Sequence, residues 1–361
     1  MSGDPKKLDF IDALRGIAVL GVIFTHAIQH TWQYGKLIKT PFEQLLYNFF
    51  LSGMYGVQLF FIVSAFTMLN SHESRVGETK PALKFFLRRF FRIAPMFYLG
   101  IAMYIPVFSL AGYPPLDWWA YPLTALFAHG FSYEHINTVV AGGWSIGVEF
   151  TFYAIFPLLA LMVKTLAQAV TMLILSLGLC LGAAAFSGWM KWELVEYGFA
   201  YFWFPNQLFV FAVGFVVFFA MKVLPGGRFE RIAPIGLAVT SLGLIALACW
   251  KSSTILSHVP LVLLMGVWVP CIALLQPRAL VNAFFIAVGK LSFSIYIFHF
   301  AVIIFLGKVL QKASLEIGNW FYFGLLCGLT LMISMALSTL SLKYIEKPCQ
   351  GWGRRLIQKL G

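Results

Sequence analysis

The chain has 361 residues, of which 60% are hydrophobic, 17% aromatic and only 11% charged, whereas an ordinary soluble domain is about one quarter charged. This composition excludes a water-soluble globular protein and indicates that most of the chain lies in lipid. The formal net charge of +12 does not indicate binding to nucleic acid, because the basic residues lie between apolar runs and form no separate polar domain. The five cysteines form no CxxC pair and show no metal-ligand spacing, so they point to no particular chemistry.

Apolar runs long enough to cross a membrane recur from one end of the chain to the other. A helix needs about 20 mostly apolar residues to cross the hydrocarbon core of a bilayer. We therefore predict an all-α, polytopic bundle of ten spans, forming one integral membrane domain over residues 1–361 with no separate soluble domain. The predicted spans lie near residues 11–30, 50–70, 89–109, 144–163, 168–187, 203–221, 232–250, 257–275, 288–307 and 320–344.

A further apolar stretch at residues 117–128 is short and is broken by Pro122. We predict an interfacial or re-entrant segment here, with an eleventh span as the alternative. With ten spans and a cytoplasmic start, 20 of the 26 Lys and Arg residues lie on cytoplasmic ends and loops, as the positive-inside rule requires, whereas an eleventh span would invert every later loop. Both termini are therefore predicted to be cytoplasmic.

Ionisable residues within the first span are candidates for function, because a charged group at mid-bilayer costs about 3 kcal/mol or more unless it is paired or hydrated. Arg15 and His26 are 11 residues apart, so a helix places them on one face, about 16 Å apart along its axis. Asp12 lies one turn from Arg15 and can pair with it. The structural alternative is a snorkelling Arg15 and a packing His26. Because His26 and His30 lack a third ligand, we predict no metal site here.

Three arginines lie where the third span begins, in the sequence FLRRFFRIAP. Arg89 and Arg92 are three residues apart and Arg88 and Arg92 are four apart, so all three share one face of a helix. Guanidinium groups bind phosphates through forked, charge-assisted hydrogen bonds. Anchoring of the helix is the simpler explanation, but three arginines exceed what anchoring needs. The cluster therefore predicts an anionic cytoplasmic ligand.

Polar residues also occur in the fourth, ninth and last spans. Trp144, Ser145 and Glu149 suit an acceptor site, since an aromatic ring can stack on a sugar and a glutamate lies one turn from a hydroxyl. The alternative is a helix N-terminus, with Ser145 as the cap and Glu149 in the first turns. His299 lies midway along the ninth span, where a lone histidine is usually a hydrogen-bonded packing residue. The sequence YIEKP at residues 344–348 predicts an ordinary helix stop.

Six motifs follow one another along almost the whole chain. They are an Asp-x-x-Arg-Gly-x-Ala segment with His26 eleven residues after Arg15, then GVQLFFIVSAF, RRFFRIAP, WSIGVEFTFY, SFSIYIFH and EKP. In this order they resemble acyltransferase family 3, a family of multi-span membrane O-acyltransferases. One position departs from the pattern, because Ala65 stands where the family usually has Gly. A single methyl group bears only on how closely two backbones pack there.

The resemblance implies transfer of an acyl group, commonly acetyl, from cytoplasmic acyl-CoA to a hydroxyl of an extracytoplasmic or lipid-linked carbohydrate, in the inner (plasma) membrane. Typical acceptors of the family are sugars of O-antigen (part of lipopolysaccharide), exopolysaccharide, peptidoglycan or modified oligosaccharides. Acetyl-CoA is the expected donor. Membrane lipid, a glycan acceptor and proteins of envelope synthesis are the expected partners, and neither a metal nor nucleic acid is expected.

The resemblance also implies that Arg15 and His26 are the essential pair and that Arg89 and Arg92 form the third-span cationic motif. Our hypothesis is that the inner-face arginines bind the phosphates of CoA while its acyl arm reaches His26. This imidazole then either takes the acceptor proton as a general base or holds the acyl group covalently. The predicted roles are His26, Arg15 and Glu149 in catalysis, Arg15, Arg88, Arg89 and Arg92 in donor binding, and Trp144, Ser145 and His299 in acceptor binding.

The chief alternative from another class is a glycolipid or anion transporter, or flippase, in which intramembrane Arg, His and Glu residues line a pathway. The sequence does not contain the paired interrupted repeats that indicate such a protein. A structural subunit of an envelope synthase is a third interpretation. It explains the hydrophobicity but not the pairing of Arg15 with His26.

Overall fold

The computed structural model describes residues 9–34, 40–192, 198–223, 227–250, 256–312 and 319–360. Within these ranges the chain consists of helices joined by turns and contains no β-strand, which confirms the all-α prediction. Ten helical segments in the same ranges are long and apolar enough to cross a membrane, as predicted. The protein is therefore a multi-pass membrane protein. The cytoplasmic location of both termini stays a prediction.

Fifteen α-helices are present in the described part of the chain, together with two 3₁₀ turns and one π turn. The 3₁₀ turns are Ser52–Tyr55 and Ala128–Phe131, and the π turn is Leu342–Glu346. The α-helices are α1 Asp9–Tyr34, α2 Pro41–Leu51, α3 Gly56–Glu73, α4 Pro81–Ala111, α5 Ala120–Ala125, α6 Trp144–Met162, α7 Leu166–Trp189, α8 Phe199–Phe202, α9 Phe204–Val223, α10 Arg228–Cys249, α11 His258–Leu275, α12 Ala283–Lys290, α13 Ser292–Lys312, α14 Asn319–Ser341 and α15 Lys347–Gln358.

The helices cluster into two compact units. The first unit comprises Met1–Ser74 and Leu158–Lys290, and the second comprises Arg75–Pro157 and Leu291–Gly361. Each unit thus combines segments that are distant in sequence. One integral membrane domain over the whole chain stays a prediction.

In the first unit, α1 packs closely against α3, α12 and the 3₁₀ turn that follows α2. Glycines make this approach possible. A Cβ atom on Gly53 would lie 2.1 Å from the carbonyl oxygen of Gly21, and one on Gly289 would lie 1.7 Å from the carbonyl oxygen of Asp12. Such backbone contact through small residues is typical of helix pairs in membranes. It holds α1, which carries the first predicted site, between two neighbouring elements.

Ala65, the residue that departs from the family pattern, lies fully buried on α3 against α9. A Cβ atom on Gly214 of α9 would lie 2.7 Å from the Ala65 methyl group. The missing side chain at Gly214 thus makes room for the methyl group at Ala65. The two helices keep their close approach because the small residue stands on the opposite side of the contact.

Uncharged polar side chains join α3, α8, α9 and α11 inside the first unit. Gln58 Nε2 donates hydrogen bonds to the Tyr201 hydroxyl at 2.9 Å and to Gln207 Oε1 at 3.1 Å. His258 Nε2 lies 3.1 Å from the carbonyl oxygen of Asn206. All five side chains are buried. In a membrane protein such groups hold helices together because lipid offers them no alternative partner.

In the second unit, α4 packs against α13 and α15, and the Tyr104 hydroxyl donates to the carbonyl oxygen of Ile297 at 3.0 Å. The predicted helix stop at residues 344–348 is wrong, because α14 passes through the π turn Leu342–Glu346 directly into α15. Pro348 has no N–H to donate, and its ring clashes with the carbonyl group four residues earlier in a regular helix. The wider π turn accommodates it without ending the helix.

The apolar stretch at residues 117–128 contains only the six-residue helix α5, and the short 3₁₀ turn Ala128–Phe131 follows it. Neither helix is long enough to cross a bilayer. No eleventh span is therefore present between α4 and α6, all of which the structure describes. Location at the interface or as a re-entrant segment stays a prediction.

Candidate active site

Arg15 is a partly buried cation on α1, and 18% of its side chain is exposed. Its Nη1 lies 3.5 Å from Asp12 Oδ1, which confirms the predicted pair, and its Nη2 lies 3.5 Å from Thr67 Oγ1 on α3. Thr67 in turn donates to the carbonyl oxygen of Ser64 at 2.9 Å. The contacts at 3.5 Å are at the long end of the hydrogen-bonding range. The guanidinium group is thus oriented by neighbours that bind it only weakly.

His26 lies on the same uninterrupted helix as Arg15, so the two residues share one face, as the spacing predicts. The side chain of His26 is half-buried, and its Nδ1 lies 3.0 Å from Gln29 Oε1. With the amide oxygen of Gln29 as the acceptor, the matching tautomer of His26 carries its proton on Nδ1. A neutral imidazole then keeps its lone pair on Nε2, the form that a general base needs. Sequence reasoning missed Gln29, although its i+3 position was a usable signal.

A cavity of about 310 Å³ lies in the same unit. Thr25, which precedes His26, donates to the carbonyl oxygens of Phe50 and Leu51 at 3.1 and 3.0 Å, and Leu51 is part of the cavity wall. Aromatic rings and hydroxyl groups together form a surface that suits a sugar. The cavity is lined by Asn48, Leu51, Ser52, Met54, Tyr55, Leu247, Trp250, Leu256, Ser257, Pro260 and Leu261.

In the second unit, Arg88 is held by a carboxylate that sequence reasoning missed. Its Nη1 and Nη2 donate to the two oxygens of Glu78, both at 2.8 Å. This forked hydrogen bond lowers the pKa of Glu78 below its usual value. Burial, followed by the charge of Arg88, lowers the pKa of Arg75 in the same turn. Arg75 thus extends the predicted cationic cluster, while Glu78 neutralises one of its members.

Arg89 and Glu149, which are 60 residues apart in sequence, are brought into one group by α4 and α6. The Arg89 guanidinium lies 5.6 Å from the ring centres of both Phe85 and Tyr153, within the range of a cation–π contact. The Glu149 carboxylate acts electrostatically on both Tyr153 and Arg89. Arg89 is therefore held between two aromatic rings and lies within the electrostatic influence of a carboxylate.

Arg92 is exposed and acts electrostatically on a buried carboxylate, Glu346. Glu346 is 8% exposed and accepts hydrogen bonds from Ser294 Oγ at 2.5 Å and from Ser341 Oγ at 3.3 Å. The π turn carries this glutamate, and such turns are frequent at functional sites. Sequence reasoning treated Glu346 as part of a helix stop. Its position beside a long apolar run was the available signal.

The predicted acceptor residues of the fourth and ninth spans meet at the start of α6. Ser145 Oγ lies 2.9 Å from the Tyr296 hydroxyl and 3.0 Å from the carbonyl oxygen of Gly142, and the Tyr296 hydroxyl lies 2.9 Å from the same oxygen. His299 is fully buried, with its Nδ1 2.7 Å from the carbonyl oxygen of Tyr296. Trp144 is buried as well. Ser145 is the second residue of α6 and contacts the preceding carbonyl group, so it is not the helix cap.

The described residues thus form two kinds of site. The first unit places a partly buried arginine and an oriented imidazole on one helix face, which suits proton transfer. The second unit gathers Arg75, Arg88, Arg89 and Arg92 with three carboxylates, which suits a ligand with several negative charges.

A family model described as "Acyltransferase domain" matches residues 8–339. The chain belongs to acyltransferase family 3. This confirms the resemblance that the six motifs indicate. The match includes both the Arg15–His26 helix and the arginine cluster that begins at Arg75.

Curated relatives agree with the family at low identity. The chain is 21% identical over 404 residues to "O-acetyltransferase OatA" of Staphylococcus aureus strain NCTC 8325 / PS 47, and the proteins of the same name from strains COL and MRSA252 match it equally. The alignment covers 97% of this chain and 58% of the relative, so the chain spans less than two thirds of the length of these relatives. No solved structure matches the chain.

Proposed function

We propose that this member of acyltransferase family 3 is a membrane O-acetyltransferase. In this proposal it moves an acetyl group from acetyl-CoA, bound from the cytoplasmic side of the plasma membrane, to a hydroxyl group of an extracytoplasmic or lipid-linked carbohydrate. The observation that carries the proposal is the imidazole of His26, oriented by Gln29 on the helix face that it shares with Arg15. The name of the relatives, O-acetyltransferase, supports acetyl as the group and oxygen as the acceptor atom.

The arginine cluster is assigned to the donor. Coenzyme A carries three phosphate groups, and guanidinium groups bind phosphate through two parallel hydrogen bonds. Arg88 is already engaged by Glu78 in this way, so Arg89 and Arg92 are assigned the main contacts. Arg92 suits this role because its side chain is exposed and its guanidinium group can turn towards a ligand. Arg15 supplies a further positive charge on α1.

His26 is assigned to the transfer step. The acceptor hydroxyl gives its proton to Nε2 while its oxygen attacks the thioester carbonyl carbon, an ester bond forms, and the C–S bond breaks. The imidazolium then returns the proton to the departing thiolate, which leaves as the free thiol of CoA. In the two-step alternative, Nε2 itself attacks the thioester and the acyl-imidazole passes the acetyl group to the acceptor. Rapid-mixing kinetics distinguish the two, because only the second releases CoA in a burst without acceptor.

The test uses purified protein in lipid nanodiscs with acetyl-CoA and a glycan extract. CoA release is measured with a thiol reagent, and the acetylated product is measured by mass spectrometry. His26→Ala should lower turnover by about 1,000-fold, within the range attributed to general bases, and should leave acetyl-CoA affinity unchanged. His30→Ala, which removes the imidazole one turn further along α1, is the matched control and should remain active.

Full activity of His26→Ala would remove the catalytic assignment. Movement of the acceptor across the membrane without release of CoA would favour a transporter instead. The acetylated product also identifies the acceptor, because it shows which glycan gains the mass of one acetyl group.

A further inference from the structure

Three side chains between α4 and α6 converge on one point. Asp117, Glu134 and His135 each offer a ligand atom, and these atoms all lie within 4.8 Å of one another. His135 Nε2 lies 3.9 Å from Asp117 Oδ2 and 3.8 Å from Glu134 Oε2. Both distances are too long for hydrogen bonds. The ring nitrogen therefore faces two carboxylates without being hydrogen-bonded to either.

The histidine itself indicates a ligand. His135 is 5% exposed, and its buried Nε2 has no hydrogen-bond partner among the described residues. Its other nitrogen, Nδ1, lies 3.5 Å from Thr138 Oγ1, and Trp119 packs edge-on against the ring with the two centroids 4.2 Å apart. A buried polar atom without a partner costs free energy. The ring is thus held with Nε2 directed at the carboxylates, as outer partners hold metal-binding histidines.

We propose that Asp117, Glu134 and His135 bind a divalent cation of a first-row transition metal, with Zn²⁺ as the representative ion. Bonds of about 2.0–2.2 Å place the ligand atoms of a tetrahedral zinc ion about 3.4 Å apart, a few tenths of an ångström closer than the nitrogen–oxygen distances of 3.8 and 3.9 Å. Both carboxylate side chains are about two-thirds exposed and are free to close this gap. Two carboxylates balance the charge of the ion, and an imidazole ligand favours zinc over magnesium or calcium.

The bound ion has a structural consequence. It ties Asp117, which precedes α5, to the turn at Glu134 and His135. The intervening chain includes His129, whose Nε2 lies 2.9 Å from the carbonyl oxygen of Gly143, directly before α6. Closing this segment limits the conformations of the chain that leads into Trp144. A site made of three protein ligands also keeps one coordination position for water or a hydroxyl group.

In the test, the full chain in nanodiscs is titrated with ZnCl₂, and the heat of binding is measured by isothermal titration calorimetry. One equivalent should bind. The double variant Asp117→Asn/Glu134→Gln should lose affinity by at least about 100-fold, since even outer partners contribute about 10- to 100-fold. Both residues are exposed, so these changes leave the fold intact. His135→Gln should lose binding as well. His72→Gln and Glu230→Gln, which lie in the first unit, are the matched controls and should bind as the wild type does.

Thermal unfolding provides a second measurement, because an ion that binds only the folded chain raises its melting temperature. Zn²⁺ should raise the melting temperature of the wild type and not that of the double variant. Two results would overturn the proposal. One is a wild-type chain that binds no Zn²⁺ at millimolar concentration, and the other is binding that persists unchanged in both the double variant and His135→Gln.

Discussion

The residues proposed to act in the two units of the molecule are held by different kinds of neighbours. In the first unit, neutral amides and hydroxyls such as Gln58, Gln207 and Tyr201 bond to one another, and His26 is oriented by an amide. In the second unit, the Arg88 guanidinium group faces the Glu78 carboxylate, and Arg92 acts electrostatically on Glu346. A neutral amide neighbour leaves one imidazole nitrogen unprotonated, whereas a carboxylate compensates the charge of a partly buried arginine such as Arg88. The comparison teaches that the imidazole proposed for proton transfer and the arginines proposed for anion binding are oriented by different kinds of neighbours.

Charge reversal in the second unit should have the largest effect, a loss of acetyl-CoA affinity. Arg89→Glu/Arg92→Glu replaces two phosphate-binding groups by repelling ones, and each charge-assisted hydrogen bond contributes about 1.5–3 kcal/mol. We expect acetyl-CoA affinity to fall by about 100-fold or more, measured by calorimetry in nanodiscs. Arg278→Glu, an exposed arginine in the first unit, is the control. Unchanged donor affinity in the double variant would mean that the arginines only anchor α4.

A substitution in the first unit should act through packing instead. Gly53→Ala places a methyl group about 2 Å from the Gly21 carbonyl oxygen, so α1 and the 3₁₀ turn that follows α2 must separate. Such overpacking destabilises proteins by about 1–3 kcal/mol, and we expect a lower melting temperature together with reduced turnover. Gly178→Ala on α7, where nothing lies within 4 Å of the new atom, should be close to neutral. Equal stability of the two variants would contradict the close backbone contact.

Glu346 sharpens the comparison because it acts through another residue. As a positioning residue for Arg92, it should affect donor binding and not the transfer step. Glu346→Gln keeps the size of the side chain and an acceptor for Ser294, so the fold should persist. We expect KM for acetyl-CoA to rise by about 5- to 10-fold, equivalent to about 1–1.4 kcal/mol, with kcat unchanged. Glu346→Asp should restore part of the affinity, and a change in kcat alone would refute the positioning role.

The smallest expected effect is a pH dependence of stability in the second unit. Burial lowers the pKa of His129, which lies outside the spans. Below about pH 6.5 the unfolded chain therefore binds a proton that the folded chain does not, and stability falls as the pH falls. His129→Gln can still donate a hydrogen bond to the Gly143 carbonyl group but does not titrate. Its melting temperature should fall less between about pH 7 and pH 5 than that of the wild type, and an equal fall would assign the effect to other groups.

Hydropathy and helical spacing were sufficient to predict the membrane-spanning helices and the ion pair within the first of them. The ten spans follow from runs of about 20 apolar residues, and the pairing of Arg15 with Asp12 follows from the helical repeat. Other features depend on contacts between distant segments. Gln58 and Gln207 carry no charge, so their presence in an apolar run gives little signal. The fork between Arg88 and Glu78 depends on how a turn folds, and the burial of Glu346 depends on a π turn that its own sequence does not specify.

The π turn at Leu342–Glu346 also sets the direction in which the side chains of α15 point around the helix axis. One additional residue in a helix rotates all later side chains by about 100° around the axis. With this rotation, α15 presents Gly353 to α4, where a Cβ atom would lie 2.8 Å from the Cβ of Phe91. Deleting one residue within the turn would swing Gly353 away and bring a bulkier neighbour against Phe91. The single extra residue of the π turn thus determines which face of α15 contacts α4. The number of residues in this turn matters as much as their identity.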